Sequence, residues 1–295
     1  MIMSAGVAHA QDETETISSS FDLMAANGVE YRIFTAAPSG EAPAGGRPVV
    51  YLTDGNATFP PAVKVMAEAG MKAVLVGIGY PTESREEIVR LRYFDLTPET
   101  PADLIPLRED ASPPRTGGQD AFLAFIENEL RPEIERRFAV DRTHQTLFGH
   151  SLGGLFALHV LFTRPDAFQT YGAADPSIWW NGRSILSELG AFLQARKPED
   201  PPVRLLIENA GKKAERRLDS AAAARRAELR SGPNGKDVYE ALAAAPGVRA
   251  AGRTFPDETH GTMIPPAVAD TLRFALMGVE PGGEQPTERR DRRGD

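Results

Sequence analysis

Short apolar runs alternate with helical patterns along most of this chain, and the alternation constrains the fold more than any other feature of the sequence. The predicted strands are Pro48–Thr53, Lys72–Ile78, Thr143–Phe148, Ala167–Ala173, Val203–Ile207 and Val248–Phe255. The predicted helices are Gln119–Phe138, Leu152–Phe162, Ser184–Leu193, Ala214–Leu229 and Pro265–Leu276. Val29–Ala36 is amphipathic and predicts an added antiparallel strand at the edge. Because strands that alternate with helices form right-handed crossovers, the pattern predicts an α/β fold with a mostly parallel central sheet and helices on both faces.

Length and composition limit the number of domains and exclude several kinds of protein. The 295 residues fit one α/β domain, which we place at residues 21–280. No apolar run reaches the length of about 18 residues that a membrane-spanning helix needs. The net charge of −8 provides no basic surface for nucleic acid. Since the chain has no Cys, disulfides, a thiol nucleophile and Cys-ligated zinc are excluded.

The two ends of the chain differ from the middle. Residues 1–20 and 281–295 are predicted to be disordered; the second of these segments combines many charges with no apolar periodicity. Ala8-His9-Ala10 has the small-x-small pattern that signal peptidase accepts, which favours the remnant of a secretory signal over two alanines by chance. We therefore expect a periplasmic or secreted protein, or a cytoplasmic one if the pattern is accidental. The oligomeric state is not set by any sequence feature.

One motif predicts a nucleophile. Gly149-His150-Ser151-Leu152-Gly153 is a G-x-S-x-G sequence between a predicted strand and a predicted helix, which is the context of a nucleophile elbow. Such a turn lifts the Ser151 hydroxyl above the carboxyl edge of the sheet. It also places the serine at a helix N-terminus, where free N–H groups favour a developing negative charge. The alternative is a Gly-rich turn that only allows close packing.

A serine nucleophile needs a base, and His260 is the best-placed histidine. It follows the last predicted strand in a loop and precedes Gly261, and it comes after Ser151 in chain order, as an α/β-hydrolase requires. The alternative is an ordinary surface histidine. Structural or surface roles are assigned to the other histidines, His9, His144, His150 and His159.

The acid that would orient His260 is less well determined. Glu215 is preferred, on the loop after the predicted strand Val203–Ile207. Glu208 directly follows that strand, and Asp175 follows the preceding one; they rank second and third. A Ser–His pair without a strong acid is a further alternative.

The oxyanion of an acyl-transfer reaction needs two backbone donors. The N–H of Leu152, directly after the nucleophile, is the first. Asp54-Gly55-Asn56 follows an early strand, so the Asn56 N–H is predicted as the second, although D-G-N is also a common turn sequence.

At these residues the sequence resembles the putative esterase family of α/β-hydrolases, which includes enterochelin esterases, esterase-D-like enzymes, feruloyl esterases and mycolyltransferases. The matching segments between Pro48 and Leu276 are Val50–Asn56, Gly77–Tyr80, Arg92–Pro98, Gly117–Phe138, Phe148–Leu158, Asp175–Trp180 and Thr259–Gly261. The resemblance is strongest to the periplasmic siderophore-esterase branch, and it implies the α/β-hydrolase fold and ester cleavage. The family's acid position aligns best with Glu215, some siderophore esterases are thought to use Ser and His alone, and the family commonly has Ser where this chain has Asp175.

Three further residues are predicted to bind substrate. Trp179 and Trp180 cannot both face one side of a helix start, so at least one is expected to line the cleft and stack on an aryl group; the alternative for each is core packing. Arg92 is expected to reach substrate oxygens, or else to pair with Asp95 or Glu87. The Pro-rich segment 93–118 is expected to cap the site.

These residues together predict a serine esterase that acts on a small-molecule carboxylic ester, of siderophore or aryl type, through an acyl-enzyme. No metal or organic cofactor is required by this chemistry. An acyltransferase on the same fold and a non-catalytic ligand-binding protein are the alternatives.

Overall fold

Eight strands form one sheet in the part of the chain that the computed structural model describes, which is residues 15–107, 112–212 and 220–281. The strands are β1 (Thr16–Met24), β2 (Glu30–Pro38), β3 (Arg47–Thr53), β4 (Val74–Gly79), β5 (Val140–His150), β6 (Thr170–Ala174), β7 (Val203–Ala210) and β8 (Val248–Phe255). Their order is β1-β2-β4-β3-β5-β6-β7-β8. The pairs β1–β2 and β2–β4 are antiparallel, and all the other pairs are parallel. The prediction of a mostly parallel sheet is confirmed.

Helices cover both faces of this sheet. They are α1 (Gly55–Glu68), α2 (Arg85–Asp95), α3 (Gln119–Phe125), α4 (Arg131–Arg137), α5 (Leu152–Thr163), α6 (Ile185–Ala195), α7 (Ala221–Leu229), α8 (Gly235–Leu242) and α9 (Ile264–Met277). A π-helical segment, Ile126–Leu130, joins α3 to α4, so these elements fill the predicted helix Gln119–Phe138. None of the helices in the described ranges is long and apolar enough to cross a membrane.

Alternate residues of the central strands point into two separate cores. In β3, Val49 and Tyr51 pack with α3, α5 and α6, whereas Val50 and Leu52 pack with α1 and α9 on the opposite face. These four side chains are fully buried. Because both faces are covered, the strand reads as a continuous apolar run rather than an alternating one, which is the pattern that identified it in the sequence.

The amino-terminal part of the domain corrects the predicted boundaries. β1 begins at Thr16 and pairs along its whole length with β2, so residues 16–20 are an ordered edge strand rather than disordered. β2 is antiparallel as predicted, but it is the second strand from the edge. Most β1 side chains are exposed, so the strand lacked the apolar signal that marked the others. The Ala8-His9-Ala10 pattern and residues 282–295 lie outside the described residues.

Candidate active site

Ser151 sits at the turn between β5 and α5 in a backbone conformation that only a tight turn imposes. Its φ is 60° and its ψ is −116°, which is costly for a residue with a side chain. A Cβ atom on Gly149 would lie 2.1 Å from the Gly153 carbonyl oxygen, and one on Gly153 would lie 2.4 Å from Thr53 Oγ1. Both flanking positions therefore require glycine. The turn holds Ser151 at the carboxyl end of a central strand, as the G-x-S-x-G pattern indicated.

His260 joins Ser151 to a carboxylate. It lies on the loop between β8 and α9, and its Nε2 is 3.0 Å from Ser151 Oγ. Its Nδ1 is 2.5 Å from Asp175 Oδ2. When Nδ1 carries the proton, the ring donates to Asp175 and accepts from the Ser151 hydroxyl. The three side chains thus have the hydrogen-bond order of a Ser–His–Asp triad.

The carboxylate beside His260 is Asp175, which the sequence ranked third. Asp175 directly follows β6 and has φ 40°; its Oδ1 also accepts a 3.3 Å hydrogen bond from the Ala210 N–H. Its own N–H donates to the Glu208 carbonyl oxygen at 2.7 Å, which ties the Asp175 backbone to β7. The preferred candidate, Glu215, lies outside the described residues.

Glu208, the second candidate, is wrong for a geometric reason. β7 continues to Ala210, so Glu208 is inside the strand rather than on the loop after it. Its carboxyl is fully buried near Asp270 of α9 and Arg253 of β8, away from His260. Burial first, and the Asp270 carboxylate second, raise the pKa of Glu208 well above its ordinary value. This carboxyl therefore keeps its proton to higher pH than a free glutamate does.

The predicted oxyanion donors lie at two adjacent helix N-termini. Leu152 is the first residue of α5 and Asn56 the second residue of α1, and these helices follow the neighbouring parallel strands β5 and β3. The first four N–H groups of a helix have no hydrogen-bond partner within the helix, so both amides can donate a hydrogen bond to an anion. The Asn56 side chain is used elsewhere: it donates to the Tyr80 carbonyl oxygen at 3.2 Å and accepts from the Tyr80 N–H at 2.9 Å. These bonds tie the start of α1 to the end of β4.

Arg92 pairs with neither of the carboxylates that the sequence offered. Its Nε and Nη2 each donate to Asp54 over 2.8 Å, and Asp54 is the residue just before α1, with φ 55°. Asp95 instead lies 2% exposed and accepts a 2.9 Å hydrogen bond from the Tyr80 hydroxyl. Burial raises the pKa of Asp95 to about 6, and the Tyr80 hydrogen bond only partly offsets it. The prediction of a pair with Asp95 or Glu87 is wrong; the bidentate pair with Asp54 holds the start of α1, where Asn56 lies.

The two tryptophans divide between surface and core. Trp180 is 1% exposed and donates from Nε1 to Thr100 Oγ1 at 2.9 Å, so its predicted place in a substrate cleft is wrong. Thr100 belongs to the Pro-rich segment, which packs here against the chain that follows β6. Trp179 is partly exposed, and the Arg230 guanidinium lies 5.1 Å from its ring centroid. Of the two, only Trp179 can offer an indole face to a ligand.

Two further features of the described residues lie apart from the Ser151–His260–Asp175 line. No group of three or more His, Asp or Glu side chains in those ranges is arranged to hold a metal ion. A cavity of about 550 Å³ lies at the opposite edge of the sheet, where the parallel strands begin, with His144, Arg204 and Arg249 in its wall. It is therefore separate from Ser151.

The mostly parallel sheet, the helices on both faces and the elbow at the end of a central strand define an α/β-hydrolase fold. A family model described as "Putative esterase" matches residues 25–229, and the chain belongs to this family. Several similar proteins are named as siderophore esterases, and these names support a hydrolase activity for this chain.

Three of these similar proteins cover most of the chain. The ferri-bacillibactin esterase BesA of Bacillus subtilis is 40% identical over 257 residues, which cover 83% of this chain and 84% of the relative. A siderophore enterobactin esterase of Emericella nidulans is 37% identical over 270 residues, covering 81% and 86%. Among solved structures, the BES protein from Bacillus cereus superposes with a TM-score of 0.72 at 31% identity, covering 93% of this chain and 99% of that one.

Proposed function

We propose that this protein is a serine esterase that hydrolyses a siderophore-type carboxylic ester through an acyl-enzyme, with Ser151, His260 and Asp175 as its triad. The observation that carries the proposal is the unbroken line of hydrogen bonds from Ser151 Oγ through the His260 ring to Asp175. A serine hydroxyl is a weak nucleophile, and an adjacent imidazole held in the right tautomer is what activates it.

In the first half-reaction, His260 Nε2 takes the Ser151 hydroxyl proton while Ser151 Oγ bonds to the ester carbonyl carbon. The carbonyl oxygen becomes an oxyanion, which the N–H groups of Leu152 and Asn56 stabilise. The C–O bond to the alcohol then breaks, and His260 gives its proton to the departing alkoxide. Asp175 stays ionised throughout and stabilises the imidazolium.

In the second half-reaction, water takes the place of the alcohol. His260 removes a proton from water, the hydroxide oxygen bonds to the acyl carbon, and the bond to Ser151 Oγ breaks. The proton returns to Ser151, and the carboxylic acid is released. Each step uses side chains and amides of this chain, and no electron transfer is involved.

The substrate class rests on the relatives and on the partly exposed indole of Trp179. Two of the similar proteins described above, from Bacillus subtilis and Emericella nidulans, are named as siderophore esterases. Trp179 follows Asp175 by four residues, on the chain segment that leaves β6 beside the triad, and an indole face there favours an aryl or catecholate group. Arg92 uses two of its five N–H donors on Asp54, which leaves donors on the same guanidinium for substrate oxygens.

We further propose that the protein acts in the periplasm or outside the cell, on the strength of Ala8-His9-Ala10 and the absence of Cys. The test is the genomic sequence upstream of Met1. A basic and apolar stretch in frame supports secretion, and a stop codon without one contradicts it.

The catalytic proposal is tested with a panel of short p-nitrophenyl esters, a feruloyl ester and a catecholate trilactone. We expect Ser151→Ala to abolish hydrolysis of all of them and to keep the melting temperature of the wild type. A fluorophosphonate probe should label Ser151 in the wild type. It should also label Ser151 in the matched variant Ser177→Ala, which removes the neighbouring hydroxyl 3.4 Å from Ser151 Oγ.

Labelling of Ser177 instead of Ser151, or activity that survives Ser151→Ala, would mean that the nucleophile is wrongly assigned. If kcat/KM for the catecholate trilactone is no higher than for the short p-nitrophenyl esters, the proposal of a siderophore-type substrate is wrong. Transfer of the acyl group to an added alcohol in preference to water would favour the acyltransferase alternative.

A further inference from the structure

His150, the residue inside the elbow, contacts the catalytic base directly. Its side chain is buried, with 7% exposure, and its ring centroid lies 4.5 Å from that of His260 with the two planes at 42°. This separation falls within the range that aromatic pairs favour. The sequence alone suggested nothing more than a structural role, because a residue next to Ser151 in the chain does not have to touch the distant loop that carries His260.

His260 needs such a contact because of where it lies. Its side chain is 54% exposed, and the next residue, Gly261, has open space around it. The two hydrogen bonds to Asp175 and Ser151 hold the ring by its two nitrogens. A tilt of the ring about the line through those nitrogens would change both distances very little, so the hydrogen bonds alone resist it weakly. A second ring packed closely against the imidazole opposes that tilt.

The charge of His150 suits this position. Burial, and next the proximity of His260, lower the pKa of His150 to about 4, while Asp54 acts in the opposite direction. His150 is therefore neutral at neutral pH, and its ring can lie against the imidazolium that His260 becomes during each half-reaction without repelling it.

We propose that His150 is a positioning residue: its buried ring packs against the His260 ring at an angle of 42° and holds the imidazole in the orientation that joins Ser151 to Asp175. The proposal rests on the proposed function, since it requires His260 to be the base. It predicts a requirement for a flat ring at position 150 and not for a titratable nitrogen.

The test compares substitutions that keep or remove the ring. We expect His150→Phe to keep kcat within about twofold of the wild type, and His150→Leu, which fills similar volume without a flat face, to lower kcat by roughly tenfold. KM for a short p-nitrophenyl ester should be unchanged in both, because the ring acts on the base. His144→Leu is the matched control, since that histidine lies exposed at the opposite edge of the sheet. If the Leu variant does not fold, His150→Asn takes its place.

A second readout is independent of turnover. The low-field proton resonance of the His260–Asp175 hydrogen bond should persist in His150→Phe and broaden in His150→Leu. If His150→Phe and His150→Leu have the same kcat, whether near the wild-type value or far below it, the proposal is overturned. A resonance that stays sharp in His150→Leu also overturns it. Wild-type protein without hydrolytic activity, or an active Ser151→Ala variant, would instead show that the proposed function has failed.

Discussion

Replacing Asp175 by Asn removes the charge beside His260 with little change in shape. The backbone at this position has φ 40°, a region that Asn tolerates and that strains most other residues. The fold around it should persist, because the backbone bond to the Glu208 carbonyl remains and the Asn side-chain oxygen can still accept from the Ala210 N–H. We expect kcat to fall by about a thousandfold.

The size of this loss has two sources. A carboxylate and an imidazolium about 4 Å apart interact by about 4 kcal/mol at an effective dielectric constant of about 20, and by about 1 kcal/mol in bulk water. The side chains of His260 and Asp175 are 54% and 28% exposed, so screening places the value between these limits. Since about 1.4 kcal/mol is tenfold in rate, lost charge stabilisation alone lowers kcat by roughly ten- to several-hundred-fold.

The second source is the tautomer of His260. In Asp175, Oδ1 faces the Ala210 N–H and Oδ2 faces His260 Nδ1. An Asn that keeps its oxygen toward Ala210 turns its NH₂ group toward Nδ1, which must then accept. The His260 proton moves to Nε2, where it blocks removal of the Ser151 proton. In another triad the same exchange costs about 10⁴ in kcat.

The assay is kcat on a short p-nitrophenyl ester, with thermal melts to show that each variant is folded. The matched controls are Glu208→Gln and Glu215→Gln, the carboxylates that the sequence ranked ahead of Asp175. Glu208→Gln should be near wild type in kcat. If Asp175→Asn keeps activity within about fivefold of wild type, the charge argument is refuted, and a large loss in Glu215→Gln would then identify the acid.

Three other substitutions test the surroundings of the triad. Trp179→Ala should raise KM for aryl esters several-fold, since stacking on a partly exposed indole is worth about 1 kcal/mol, and should leave KM for an acetyl ester of a small aliphatic alcohol unchanged. Equal effects on both substrates would contradict the aryl preference. Arg92→Lys keeps the charge but cannot make the bidentate bond to Asp54, so the rate of fluorophosphonate labelling should fall roughly tenfold. An unchanged rate would show that this pair does not support the start of α1, where the Asn56 amide lies. Glu208→Gln should stabilise the protein increasingly as pH rises. Because the folded pKa of Glu208 lies above the unfolded value of 4.5, the wild type loses stability as pH rises through the folded pKa, whereas Gln stays neutral. Melting temperatures of both proteins between about pH 5 and about pH 8 measure the difference, and a constant difference would contradict the pKa argument.

The sequence predicted those elements whose pattern follows from the immediate surroundings of their residues. The strand–helix alternation predicted the parallel sheet because buried strands need apolar side chains on both faces. The sequence analysis did not predict helix α2. Ser84 caps this helix by accepting a hydrogen bond from the Glu87 N–H, but the Ser-Arg-Glu-Glu sequence was the one local signal of its start. β1 was missed because an exposed edge strand needs few apolar residues.

The sequence by itself determined the α/β class, the elbow at Ser151 and the choice of His260 over the other histidines. Each depends on neighbours in the chain: glycines on either side of a serine, and a loop after the last strand. Only the tertiary structure decided which carboxylate meets His260 and which ring packs on it. Asp175, His150 and His260 come together because β5 and β6 are adjacent and end at the same edge of the sheet, where the loop after β8 reaches them. Glu208, one strand farther, points into the core because side chains alternate along β7, and the sequence does not show where that strand ends.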